Sequence, residues 1–135
     1  MQHLIDLIAA RVIATIGVPP VYVDRGDIAA SDWLVGDFTR DNAWHDLNLS
    51  GVIPSGLSLV HFRCFILSTV VNKAAMFRTK GNSNEINMHK FWVPVASMWH
   101  QMDFMIPPSV DNKVQYRIAS TDITGMSLSI VGAFK

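Results

Sequence analysis

The run GLSLVHFRCFILS, Gly56 to Ser68, sets a histidine, an arginine and the single cysteine of the chain inside an otherwise apolar stretch. A thiol beside an imidazole is the pairing that makes a thiolate nucleophile, because a neighbouring base or cation lowers the thiol pKa. The spacing argues against that pairing here. Along a strand successive side chains point to opposite faces, so Val60, Phe62, Cys64 and Ile66 share one face, while Leu59, His61, Arg63, Phe65 and Leu67 share the other. Cys64 then lies among apolar residues, where a free cysteine behaves as a small hydrophobe. His61 points away from it. The second face is too apolar for a freely solvated sheet and too polar for a core. Interfaces favour aromatic and Arg side chains over Lys and Glu, so Leu59, His61, Arg63 and Phe65 are expected in an oligomer or partner contact, or else beneath a helix of the same chain.

Other chemistry is harder to assemble. The five histidines, His3, His45, His61, His89 and His100, include no pair at the i, i+4 helical or i, i+2 strand spacing of a strong metal signature. His45 with Asp46, and His100 with Asp103, come nearest. No P-loop, Gly-rich dinucleotide fingerprint or nucleophile elbow is present. A glycosidase-like carboxylate pair would have to come from distant strands. Neither a catalytic residue, a metal ligand nor a cofactor is expected, and the protein reads as a non-enzyme.

Recognition is the other class to weigh. Trp33, Trp44, Trp92 and Trp99 are candidates for a sugar-stacking platform, although large aromatics more often bury area in cores and interfaces. Trp99 alternates with Gln101 and Asp103, which makes it the best placed to be exposed. The polar segment MFRTKGNSNEIN reads as a hairpin tip, and tips of sandwiches commonly carry recognition. Arg78, Lys80, Asn82 and Asn84, with Trp99, are the expected recognition residues. Arg25-Gly26-Asp27 matches an integrin-type tripeptide and equally reads as a Gly-containing turn.

These residues need elements to hold them. Residues 3 to 16 carry Leu4, Ile5, Ile8, Val12 and Ile16 on one helical stripe, and Gly17 with Pro19 and Pro20 ends it. Ile5, Ile8 and Val12 would dock on a partner or on the chain's own sheet. From Asp32 onward short alternating runs replace helical periodicity. Strands are expected at 33–38, 44–49, 57–69, 74–79, 88–93, 95–106, 114–119 and 126–134. That spacing suits an antiparallel, jelly-roll-like β-sandwich of about eight strands after one N-terminal helix. The expected organisation is a helical arm over residues 1–20, a connector over 21–31 and a sandwich over 32–135.

Composition adds an assembly argument. Eleven basic and eleven acidic residues give no net charge, so no global field draws in nucleic acid or an anionic membrane. Charged residues are only 16% of this 135-residue chain, against roughly a quarter in ordinary domains. A small, sparsely charged domain leaves apolar patches uncovered as a monomer, which predicts a homo-oligomer, with a trimer the simplest packing about an axis. The apolar N-terminal segment is too short and too interrupted by Asp6 and Arg11 for a membrane span, and it lacks the basic n-region of a secretory signal.

The order of residues carries one resemblance. AWHDLNLSGVIPSGLSLVHFRC, then MFRTKGNSN, then KVQYRIAS and the closing ITGMSLSIVGAFK together resemble small β-sandwich proteins encoded among the structural genes of tailed bacteriophages. The resemblance covers about residues 33–135. It implies a virion location and a structural role as capsid decoration, head fibre or tail appendage, with the major capsid protein as partner. It carries over no catalytic residue. A glycan-binding module for host adhesion is the alternative reading.

Overall fold

The computed structural model describes residues 4–5 and 19–135. Leu4 and Ile5 are helical and exposed, and the rest of the expected N-terminal helix, with Ile8 and Val12, lies outside the described residues. The other described residues form nine strands: β1 (Tyr22–Asp24), β2 (Trp33–Leu34), β3 (His45–Asn48), β4 (Leu59–Ser68), β5 (Ala74–Thr79), β6 (His89–Trp92), β7 (His100–Ile106), β8 (Lys113–Ile118) and β9 (Ile123–Phe134).

All pairings are antiparallel and fall into two sheets. The first has the order β1-β9-β4-β7, with β2 also on β9; the second has the order β3-β8-β5-β6. The pairs β1–β9, β3–β8, β4–β7 and β5–β6 are nested along the chain, as when one long hairpin is wound over itself. This is a jelly-roll sandwich.

The alternation of side chains explains the packing. Val60, Phe62, Cys64 and Ile66 of β4 are all 0–1% exposed, whereas His61, Arg63, Phe65 and Leu67 face out. On β8, Val114, Tyr116 and Ile118 are buried and Lys113, Gln115 and Arg117 are not. Phe62 and Phe104 of the first sheet stack with centroids 5.3 Å apart, and Phe104 stacks on Phe77 of the second at 4.7 Å. These rings join the two layers. Phe38 meets Tyr116 edge-on at 4.9 Å, and the Tyr116 hydroxyl accepts the Thr39 N–H at 3.0 Å.

Three expectations are corrected. The connector is not separate from the sandwich, because Tyr22–Asp24 pairs with Gly132–Phe134 as an edge strand. A three-residue strand is too short to show a period, so only its partner reveals it. Residues 35–37 are a 3₁₀ turn, and 95–99 are irregular, so the runs expected at 33–38 and 95–106 shorten to β2 and β7. On β9 unbroken alternation from Met126, Leu128 and Ile130 would put Phe134 inward and Ala133 outward. A bulge intervenes: Phe62 pairs with Ile130 but His61 with Gly132, leaving Val131 extra. One extra residue reverses parity, so Ala133 is buried and Phe134 packs outside on Tyr22 at 5.2 Å.

Candidate functional site

The first sheet's outer face gathers the polar residues of the opening stretch. Arg63 and Asp103 are cross-strand partners on β4 and β7. The guanidinium grips the carboxylate with both Nε and Nη2, each at 3.0 Å. Asp103 Oδ2 also lies 3.0 Å from His61 Nε2, and His61 Nδ1 lies 3.0 Å from the Tyr22 hydroxyl. The Arg63 hydrogen bonds hold the Asp103 carboxyl below the usual range. An ionised Asp103 accepts the Nε2 proton, so Nδ1 accepts from Tyr22.

A Tyr-His-Asp line has the outline of a nucleophile relay, but its electrostatics work against that use. Desolvation, then the charge of Asp24, raises the Tyr22 pKa, so the phenol stays protonated. What the network does is fix four side chains in one arrangement. Tyr22 can lie flat there because Gly132 beneath it has no Cβ; one built at that position would collide with the tyrosine ring.

Around this network the face is apolar. Leu34 is 58% exposed, Trp99 54%, Met105 40% and Phe65 38%. The loop at 26–31 stands beside Arg63, Phe65 and Ser129 and leaves a cleft of about 370 Å³. The arginine just before it is committed: Arg25 Nη1 and Nη2 meet Asp32 at 2.6 and 3.2 Å, and Nη1 donates to the Ile130 carbonyl. The Arg-Gly-Asp tripeptide therefore presents no free guanidinium.

The second sheet's outer face is different in kind. Arg78 lies 3.8 Å over the Trp44 ring and donates Nε–H to Gln115 Oε1 at 2.8 Å. Arg117 donates Nε–H to the carbonyl and side-chain oxygens of Asn42 at 2.9 and 3.0 Å. A groove of about 560 Å³ runs between Trp44 and Trp92. Beside it Lys80 bridges Asp46 and Asp111 at 3.2 and 2.9 Å.

The expected recognition residues divide between these faces. Arg78 lies on β5 and Lys80 in the turn just after it, Asn82 closes that turn onto Thr79, and Asn84 caps a 3₁₀ turn. Trp99 instead rests against Gly125 and Leu67 on the first. The five do not form one site. Trp33 packs against the core, so only Trp44 and Trp92 share a face. The two His–Asp pairs separate as well: His45 meets Asp41 at 2.8 Å while Asp46 meets Lys80, and His100 meets the Val95 carbonyl while Asp103 meets Arg63. Among the described residues no group of three His, Cys, Asp or Glu side chains is placed to hold a metal ion, and no helix is long and apolar enough to cross a membrane. Burial pushes the Cys64 thiol up to about 12, so it is not a ready nucleophile at neutral pH.

Sequence reasoning missed Tyr22 and the placing of Arg78 near Arg117 on one face. Parity alone places both arginines outward. Their adjacency follows from β5 lying beside β8, which no local pattern encodes. No protein-family model matches the chain, and no curated protein does.

Proposed function

We propose that this is a non-enzymatic structural protein of a bacteriophage virion, a jelly-roll subunit that self-associates and attaches to the capsid exterior through the major capsid protein. One observation carries the reading. The first sheet's outer face exposes Leu34, Phe65, Met105 and Trp99 around the Tyr22–His61–Asp103–Arg63 network, and among the described residues it presents no lysine or glutamate. Aromatic residues, Met and Arg without Lys or Glu are what buried contacts select. Side chains already fixed by hydrogen bonds lose little freedom when a partner arrives. The bacteriophage part of the reading rests on the resemblance of residues 33–135 to sandwich proteins of tailed phages.

Light scattering on the full chain tests self-association, with a trimer expected at micromolar concentration. Replacing Phe65 and Met105 together by Asp should give monomers that still melt cooperatively, since each carboxylate would have to be desolvated at the contact. A monomeric parent rejects self-association, and an oligomeric double variant rejects this face. Mixing the protein with particles lacking it should give cosedimentation; a protein left in the supernatant rejects the capsid reading.

A further inference from the structure

We propose that the groove on the outer face of the second sheet binds an acidic saccharide, with its carboxylate on the guanidiniums of Arg78 and Arg117 and a sugar ring against Trp92. The first argument is charge. Arg117 is paired with Met76 and Arg78 with Gln115 across β5 and β8, which sets the two arginines diagonally on one face, and both line the same groove. Among the described residues neither has a carboxylate oxygen within 4.0 Å. Arg25 and Arg63, by contrast, are paired with Asp32 and Asp103, and Arg40 donates to the carbonyls of Thr121 and Ile123. Arg78 and Arg117 each spend Nε on a neutral oxygen that orients the fork. Their Nη groups have no protein acceptor among the described residues. A planar carboxylate matches such a fork with two parallel hydrogen bonds. Burial and then the charge of Arg117 lower the Arg78 pKa, so an anion arriving between them relieves a repulsion the fold maintains.

The second argument is the shape and apolar surface of the groove. Ala74 and Ala119, joined by a backbone hydrogen bond of 2.9 Å, make a low floor beside Met76, which is only 7% exposed although it points outward. Two tryptophans wall it from the two edges of the sheet. Trp44 is covered by the Arg78 guanidinium, whereas Trp92 is 55% exposed, with the Lys90 ammonium 5.5 Å from its ring centroid. An open indole face beside charged donors suits a ligand with C–H surface on one side and a carboxylate on the other. The volume, about 560 Å³, falls within the roughly 300–1,000 Å³ of small-ligand clefts.

The surroundings favour a small, singly charged unit over a polyanion. Glu85 stands on the rim, paired with Lys90 at 3.2 Å. Asp46 and Asp111 bind Lys80 and Lys113 further along the face. Among the described residues the positive potential is therefore local to the two arginines, and no basic stripe of the kind that tracks a nucleic-acid backbone continues from it. This face is opposite the one assigned to self-association, so the two proposals stand separately.

Calorimetry and tryptophan fluorescence on the full chain test it, using galacturonate and N-acetylneuraminyl-lactose, their neutral counterparts galactose and lactose, and inorganic phosphate. At least one acidic saccharide should bind saturably, about tenfold or more tighter than its neutral counterpart, with affinity falling as salt rises. Arg117→Gln and Trp92→Ala should each weaken that binding by about tenfold, and Arg117→Lys by less, because it keeps the charge and loses the fork. Unchanged thermal melts of the variants separate lost binding from lost folding. Three results overturn the proposal: neither acidic saccharide binding by about 10 mM, a neutral sugar binding equally well, or phosphate competing fully while Trp92→Ala has no effect, which would make this a bare anion site.

Discussion

His89 reaches inward from β6 and stacks on Phe104, centroids 5.4 Å apart, so its imidazole exchanges water for an aromatic face. Desolvation lowers its pKa, with a backbone hydrogen bond to Met105 opposing the shift. The unfolded chain takes up this proton at about pH 6.5, the folded chain only at lower pH. Between those points the unfolded state binds more protons, so stability falls as pH falls. Carboxylates add a second loss lower down. Asp41, Asp46, Asp103 and Asp111 are all held below their ordinary range, chiefly by hydrogen bonds from His45, Gln115, Arg63 and Ser109 respectively. Their contribution is present above about pH 4 and disappears as pH drops further. Urea midpoints measured against pH should therefore descend in two limbs. His89→Phe should remove the upper limb and leave the lower one, and an unaltered upper limb would assign it to another group.

At the scale of the element, β9 is the member on which the first sheet depends, since β1, β2 and β4 all pair with it. Its bulge turns Gly132 to the outer face under Tyr22, with the Val23 carbonyl also close to where a Cβ would stand. The backbone there is ordinary, so the demand for glycine is one of space and not of conformation. Gly132→Ala should displace Tyr22 from His61, loosen β1 and cost about 1–3 kcal/mol, the range for overpacking. Denaturant midpoints give the cost, and hydrogen exchange at the Arg25 amide, which donates to the Val131 carbonyl, reports on β1. Adding Tyr22→Ala should recover part of the loss. Wild-type exchange at Arg25 in Gly132→Ala would show that the edge strand does not depend on this close approach.

The whole molecule is held by pairings between distant parts of the chain, with β1 against β9 the outermost. The Lys135 N–H donates to the Val21 carbonyl at 3.0 Å, so the described sandwich begins at residue 21. A chain lacking residues 1–20 keeps every described strand. It should melt cooperatively near the full-length temperature and self-associate through the first sheet, while losing attachment to capsids if the N-terminal stripe of Ile5, Ile8 and Val12 is the docking element. A truncated protein that aggregates, or melts well below the full chain, would place that stripe against its own sheet. Nested long-range pairing also pays loop-closure entropy before contacts form, so refolding is expected in milliseconds to seconds.

What the sequence determined by itself is what the two-residue period of a strand encodes. Along β4 and β8 each side chain's face follows from its neighbours alone, so the burial of Cys64, the separation of His61 from it and the outward turn of Arg63 and Arg117 were legible without coordinates. The composition of the His61–Arg63–Phe65 face was legible for the same reason. Tertiary structure decided the rest. Strand order set Asp103 beside Arg63 and Arg78 beside Arg117, and partners so far apart in the chain leave no local pattern. The β9 bulge reversed parity at Ala133 and Phe134, because one extra residue is invisible in an alternation until the partner strand fixes the register. Trp44 and Trp92 became two walls of one groove only because β3, which Trp44 immediately precedes, and β6, which carries Trp92, lie at opposite edges of the same sheet.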